Sequence, residues 1–199
     1  MLRPVQSLTR ANRLALHLAS VLALGACLAV AAPQRPAFAA APPDGVPSGK
    51  VTGLPIPRYA SLKTDRVNLR EGPSKDHRTA WVFQRAGLPV EIVAEFETWR
   101  RIRDSEGTEG WVLHSLLSGR RTALIMPWAK TNAEPLPLYD RADERSSVVA
   151  RLQTNVITNV KQCDNGWCRL TVAQSGSGEI VGYIKEDRLW GVYPNERVD

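Results

Sequence analysis

The chain has 199 residues, 26 of them basic and 20 acidic, with 14 glycines, 14 prolines and a formal net charge of +6. Residues 1–39 hold four arginines and no acid, so the remainder carries 22 basic against 20 acidic groups, too even a balance for a nucleic-acid-binding surface. About 140 residues follow the N-terminal segment and a proline-rich stretch, enough for one medium domain or two small ones.

Residues 1–39 read as an export signal. Arg3, Arg10 and Arg13 give a basic start, and Leu14 to Ala32 is apolar except for His17 and Ser20. Ala37-Phe38-Ala39 then supplies a small-x-small cleavage pattern, so processing is expected after Ala39 and the mature protein outside the cytoplasm, periplasmic or secreted. The run is also long enough to span a bilayer if retained, and Leu24-Gly25-Ala26-Cys27 resembles a lipobox. The membrane is a partner only if the segment is retained or Cys27 is lipidated. Residues 40–57 hold five prolines and three glycines and little apolar surface, the composition of a flexible tether.

From residue 58 onward the pattern is all-β. Apolar residues alternate in Val90, Ile92 and Ala94, and again in Val156, Thr158 and Val160. Breakers such as Glu71-Gly72-Pro73 and Ser105-Glu106-Gly107 punctuate them at short intervals, as in a small barrel or sandwich. The pattern occurs twice. Gly87-Leu88, Ile92, Trp99 and Ile102 reappear as Asn155-Val156, Val160, Trp167 and Leu170, all at an offset of 68. Gly110-Trp111-Val112 reappears as Gly182-Tyr183-Ile184. A duplicated small domain follows, with one copy over 58–120 and the other over 121–195.

The sharpest local signal lies in the second copy. Cys163-Asp164-Asn165-Gly166-Trp167-Cys168 places an Asn-Gly turn between two cysteines, the pattern of a β-hairpin closed by a cross-strand disulfide. Such a bond implies an oxidising compartment. The offset aligns Cys163 and Cys168 with Glu95 and Arg100, which predicts an ion pair closing the first copy's hairpin.

Val67-Asn68-Leu69-Arg70-Glu71-Gly72-Pro73-Ser74 resembles the opening motif of bacterial SH3-like domains. Gly87, Trp99 with Ile102, and Gly107 followed by Gly110-Trp111-Val112 keep that family's order. The second copy is more divergent, with Pro137-Leu138-Tyr139, the Cys-x-x-x-Trp-Cys segment and Leu189-Trp190-Gly191-Val192-Tyr193-Pro194. It has no equivalents of Asn68, Arg70 or Gly72-Pro73. The resemblance covers about 58–195 and implies two tandem SH3-like barrels after the signal segment and tether. It further implies recognition of peptidoglycan or another cell-wall peptide, with an adaptor that binds an envelope protein as the alternative.

Catalytic constellations are not apparent. Beyond residue 39 the histidines are His77 and His114, without paired zinc-ligand spacing. The two remaining cysteines are committed to each other, and Ser115 beside His114 is adjacency rather than a triad. Gly176-Ser177-Gly178 lacks the lysine and the strand-to-helix setting of a phosphate loop. The sequence therefore predicts a binding protein, not an enzyme, with no cofactor and no metal. Strand parity places Ile102 and Arg100 inward and sends Trp99, Arg101 and Arg103 outward, with Trp167 outward in the second copy. Trp99 and Trp167 are candidate stacking platforms, Arg101 and Arg103 candidate partners for a ligand carboxylate, and Asn68 and Arg70 candidate loop contacts. Trp128 is expected to pack one barrel on the other, and Pro194-Asn195-Glu196 with the charged end to be a tail.

Overall fold

Alternating strands separated by tight turns build two copies of one sheet. The computed structural model describes residues 47–130, 132–174, 176 and 178–198; the expected signal segment, its cleavage point and Cys27 lie outside them. The first barrel comprises β1 (Arg58–Leu62), β2 (Val67–Arg70), β3 (Thr79–Phe83), β4 (Pro89–Phe96), β5 (Trp99–Arg103), β6 (Glu109–Leu113) and β7 (Leu117–Ser118). The second comprises β8 (Thr122–Ile125), β9 (Leu136–Tyr139), β10 (Val148–Leu152), β11 (Ile157–Asp164), β12 (Trp167–Gln174), β13 (Gly178–Lys185) and β14 (Leu189–Trp190). Their sheet orders are β3-β2-β6-β5-β4-β1-β7 and β10-β9-β13-β12-β11-β8-β14, the same topology displaced by seven strands. The duplication read from the sequence is thus a duplication of fold. Among the described residues the helical elements are single 3₁₀ turns at equivalent places, His114–Leu116 and Glu186–Arg188. No described helix is long and apolar enough to cross a membrane.

Each barrel has its own core. Leu62, Val67, Leu69, Ile102 and Val112 fill the first; Ile125, Leu138, Leu170, Ile184 and the Cys163–Cys168 disulfide fill the second. One close approach recurs in both. A Cβ on Gly110 would lie 2.6 Å from the Leu69 side chain and 2.9 Å from the Arg70 carbonyl; one on Gly182 would meet Leu138 and the Tyr139 carbonyl at 2.6 and 2.8 Å. Only glycine lets β6 and β13 pass so near their neighbours. Gly72, in the turn after β2, does not adopt a positive φ. A Cβ there would meet the His77 imidazole, which would have to turn aside.

The hairpins confirm the predicted register. Cys163 faces Cys168 across Asn165-Gly166, whose φ angles of 50° and 77° suit a tight two-residue turn. Glu95 faces Arg100 at the equivalent position. This first pair is covered. The Glu95 side chain is fully covered, because residues 47–57 are seated on the barrel rather than loose. Ser48 bridges Pro55, and the turn between them aims the Val51 and Thr52 N–H groups at the Glu95 carboxylate. The second hairpin is covered from the other end of the chain. Cys163 and Val198 exchange backbone hydrogen bonds of 2.9 and 3.2 Å, and Arg121 pairs with Glu196 at 2.7 Å. The segment expected to be a tail is therefore docked on the end of β11 by a single bridge.

The barrels are joined by three residues, 119–121, between β7 and β8. Trp128 does not join them; it is 57% exposed. The seam is built instead around Tyr59 of β1, which meets Tyr193 at 4.6 Å and Trp190 at 5.4 Å between ring centroids. The Tyr193 hydroxyl donates to buried Glu91 at 2.8 Å, and Glu91 also accepts from Arg103 Nε at 2.9 Å. Gly191, at φ 122°, lets the chain pass the Thr122 carbonyl, where a Cβ would come within 2.3 Å.

Candidate functional site

In the first barrel, β2 and β5 converge on a shallow groove of about 270 Å³. It is lined by Asn68 and Arg70 from β2, Trp99 from β5, Arg66, Lys75, Leu113 and Leu116. Strand parity directed Trp99 away from Ile102, and it does not join the core cluster around Ile102. It is nonetheless only 6% exposed, so it forms the floor of the groove rather than an open platform.

That loop is held by Arg70, whose guanidinium donates to the carbonyls of Lys75 and His77 at 2.9 and 2.7 Å. Ser74 and Asp76 close a turn within it, and Glu71 pairs with Arg78 at its neck. The Arg78 hydrogen bond holds the Glu71 carboxyl below its ordinary range. Arg70 thus both shapes the loop and charges the groove. Asn68 is exposed on the groove wall. Arg66, Arg70 and Lys75 make no ion pair among the described residues. Three cations over an indole floor suit an anionic group carried on an apolar stem.

Arg101 and Arg103 are placed elsewhere. Arg101 pairs with Glu109 at 2.8 Å, and Arg103 is held by Glu91. Both line a separate depression with Ile56, Pro57 and Ala94, apart from Trp99. The bulge where β4 shifts register between Ile92 and Ala94 bends this part of the sheet, so side chains of one parity fall on two surfaces.

Trp167 occupies the second barrel's equivalent of the Trp99 position. It lines a depression of about 470 Å³ with Gln162, Asp164, Asn165, Arg169 and Tyr183. Tyr139, in the place of Arg70, packs edge-on against it at 5.8 Å, and Lys185 Nζ lies 5.8 Å from its ring centroid. The two grooves therefore differ in character, cationic in one barrel and aromatic in the other.

The sequence paired Glu95 with Arg100 but did not expose its other partners, which make it a densely hydrogen-bonded carboxylate among the described residues. It accepts from Val51 and Thr52 N–H, Thr52 Oγ1 and Arg58, and lies 3.5 Å from Arg100 Nε. Burial is the largest single effect on this carboxyl and opposes its charge. The hydrogen bonds from Thr52, Arg58 and Val51 together outweigh it and lower the pKa to about 2. This is a scaffold for the hairpin tip rather than a ligand site. Among the described residues no group of three or more His, Cys, Asp or Glu could hold a metal ion.

The bacterial SH3 domain profile matches the chain twice, over residues 63–119 and 132–191. Among curated proteins none matches. Solved structures that share features with it include NlpC2 from Trichomonas vaginalis, at 17% identity and a TM-score of 0.30, over 67% of this chain and 48% of that one. NlpC1 from the same organism gives 18% identity and 0.30, over 67% and 45%. An NlpC/P60 family protein from Bacillus cereus ATCC 10987 gives 13% and 0.27, over 66% and 55%. The chain spans about half the length of these structures.

Proposed function

We propose, from the premise that the chain belongs to the bacterial SH3 domain family, that it is a noncatalytic binding protein acting outside the cytoplasm. Its ligand is a cell-wall peptide bearing a carboxylate. Bacterial SH3 domains are typically cell-wall binding modules, which supports the ligand class. The observation that carries the reading is the groove over Trp99, where Arg66, Arg70 and Lys75 present positive charge beside an apolar floor. A peptide carboxylate enters against the cations and its side chains lie on the indole and on Leu113 and Leu116. The Cys163–Cys168 bond supports an oxidising compartment.

Arg66 and Lys75 are the residues to change, since Arg70 also holds the loop. The double variant Arg66→Ala, Lys75→Ala should fold normally and lose at least tenfold in retention on isolated peptidoglycan at low salt. Unchanged retention removes this groove as the site. A second reading, an adaptor for an envelope protein, is favoured by β10, an edge strand that exposes Val148 and Val149. Crosslinking from a photoreactive residue at position 149 to a single envelope protein, with no retention on peptidoglycan, would select it.

A further inference from the structure

A second cleft, of about 380 Å³, opens where the two barrels meet. β3 supplies Trp81, Phe83 and, just beyond its end, Arg85; the β5–β6 turn supplies Asp104 and Glu106; the second barrel supplies Leu124 and Asn155. Trp81, Phe83 and Arg85 alternate along the chain, so one face of this segment forms a wall. Trp81 is 59% exposed, the most exposed large hydrophobic side chain among the described residues. An adjoining depression shares Trp81, Phe83, Arg85 and Leu88 in its wall, so the indole stands over two hollows.

The charges of this cleft are arranged differently from those over Trp99. Asp104 is fixed by its own turn, its Oδ1 accepting the N–H groups of Glu106 and Thr108 at 2.9 and 2.8 Å. Its Oδ2 accepts no hydrogen bond among the described residues, and Glu106 is exposed. Arg85 is the one cation in the lining and donates to the Asn155 carbonyl at 3.1 Å. That bond also ties the two barrels together across the mouth of the cleft. β3 is the outermost strand of its sheet. Its outer edge offers backbone groups to an added strand.

We infer that this seam is a second binding site, one that takes an extended peptide lying along β3 and receives from it a lysine-type side chain. The aliphatic stem rests on Phe83 and Leu88. The ammonium meets the Trp81 ring face and the Asp104 and Glu106 carboxylates. The site needs both barrels, because Leu124 and Asn155 close one side. It stands apart from the groove over Trp99 and does not depend on the ligand assigned there.

The test uses the disulfide-intact chain and a blocked alanine pentapeptide with lysine at its centre, beside the same peptide with norleucine or glutamate there. Titration is followed on the indole N–H of Trp81 and the amides of β3. The lysine peptide should shift the Trp81 indole and the amides of Ala80 to Val82, and bind at least tenfold more tightly than either analogue. Trp81→Ala and Glu106→Gln should each weaken it at least fivefold without changing the melting temperature. Should Trp81→Ala fold poorly, the exposed Glu106→Gln carries the result. Arg66→Ala, Lys75→Ala should leave this binding intact, which separates the two sites. Equal affinity for the norleucine peptide, shifts centred on Trp99 instead of Trp81, or no shift at millimolar peptide overturns the inference.

Discussion

Replacing Glu95 by glutamine tests how the first barrel is held together. The two carboxylate oxygens divide their donors. Oε2 takes the Val51 and Thr52 N–H groups at 3.0 and 2.9 Å, and Oε1 takes Thr52 Oγ1 at 2.6 Å and Arg58 at 2.7 Å. A glutamine amide puts an NH₂ where one of these oxygens stood, so either the Val51 and Thr52 N–H groups or the Arg58 guanidinium faces a donor, while the Thr52 hydroxyl can turn to accept. Arg58 and Arg100 also lose their counter-charge in a covered site. At least one lost charge-assisted hydrogen bond at about 1.5–3 kcal/mol, together with two arginines left without their counter-charge, puts the loss at about 3–5 kcal/mol, the range for breaking a buried ion pair. Urea unfolding at pH 7 should show that loss, and limited proteolysis should open the 47–57 segment before the barrel.

Acid provides an independent check on the same residue. Its folded pKa of about 2 lies below the ordinary 4.5. The stabilisation is therefore fully present above about 4.5 and disappears as the pH falls towards 2. Linkage alone would give about 3 kcal/mol; solvent screening around the exposed loop reduces this to about 1–2 kcal/mol. The acid effect is smaller than that of glutamine because a protonated carboxyl keeps both oxygens. The variant should lack this pH dependence. A Glu95→Gln protein within about 1 kcal/mol of the parent at pH 7, or one that still weakens as steeply between pH 4.5 and 2, refutes the reasoning.

Reduction should act on the other barrel. A disulfide closing so short a loop contributes about 2 kcal/mol in the chain-entropy treatment, so hydrogen exchange should speed up first at residues 160–170 and in the docked 194–198 segment. Equal protection with and without reductant contradicts this. Tyr193→Phe should weaken the seam, because Glu91 is buried and loses the hydroxyl that reaches it from the second barrel. The expected cost is about 1–3 kcal/mol by urea unfolding, and a change below about 0.5 kcal/mol would assign the seam to ring packing alone.

What the sequence disclosed and what it hid divide along chain distance. Asn165-Gly166 between two cysteines is a local device, so the hairpin, its register and its partner positions Glu95 and Arg100 were readable. The duplicated topology was readable too, because Gly110 and Gly182 recur before aromatic residues in both copies. Coverage was not. Glu95 meets Val51 and Thr52 more than 40 positions away, and Arg121 meets Glu196 at a separation of 75. A Pro- and Gly-rich stretch and a short charged end carry no pattern that announces what they will touch. Trp99 shows the same limit. Alternation gives the side of a strand on which a residue lies, but the curl of a small barrel decides what closes over it. Trp81 was passed over because nothing in its neighbourhood distinguishes an edge strand from an inner one.

The three-residue link between the barrels has a consequence for any ligand with two points of attachment. With residues 119–121 as the whole hinge, and Tyr59, Tyr193 and Glu91 clamped across it, the first groove and the seam cleft keep a set spacing. A long polymer that engages one finds the other already at a high local concentration, whereas short fragments gain nothing from the arrangement. Selectivity for a long ligand over its short fragments then comes from geometry alone.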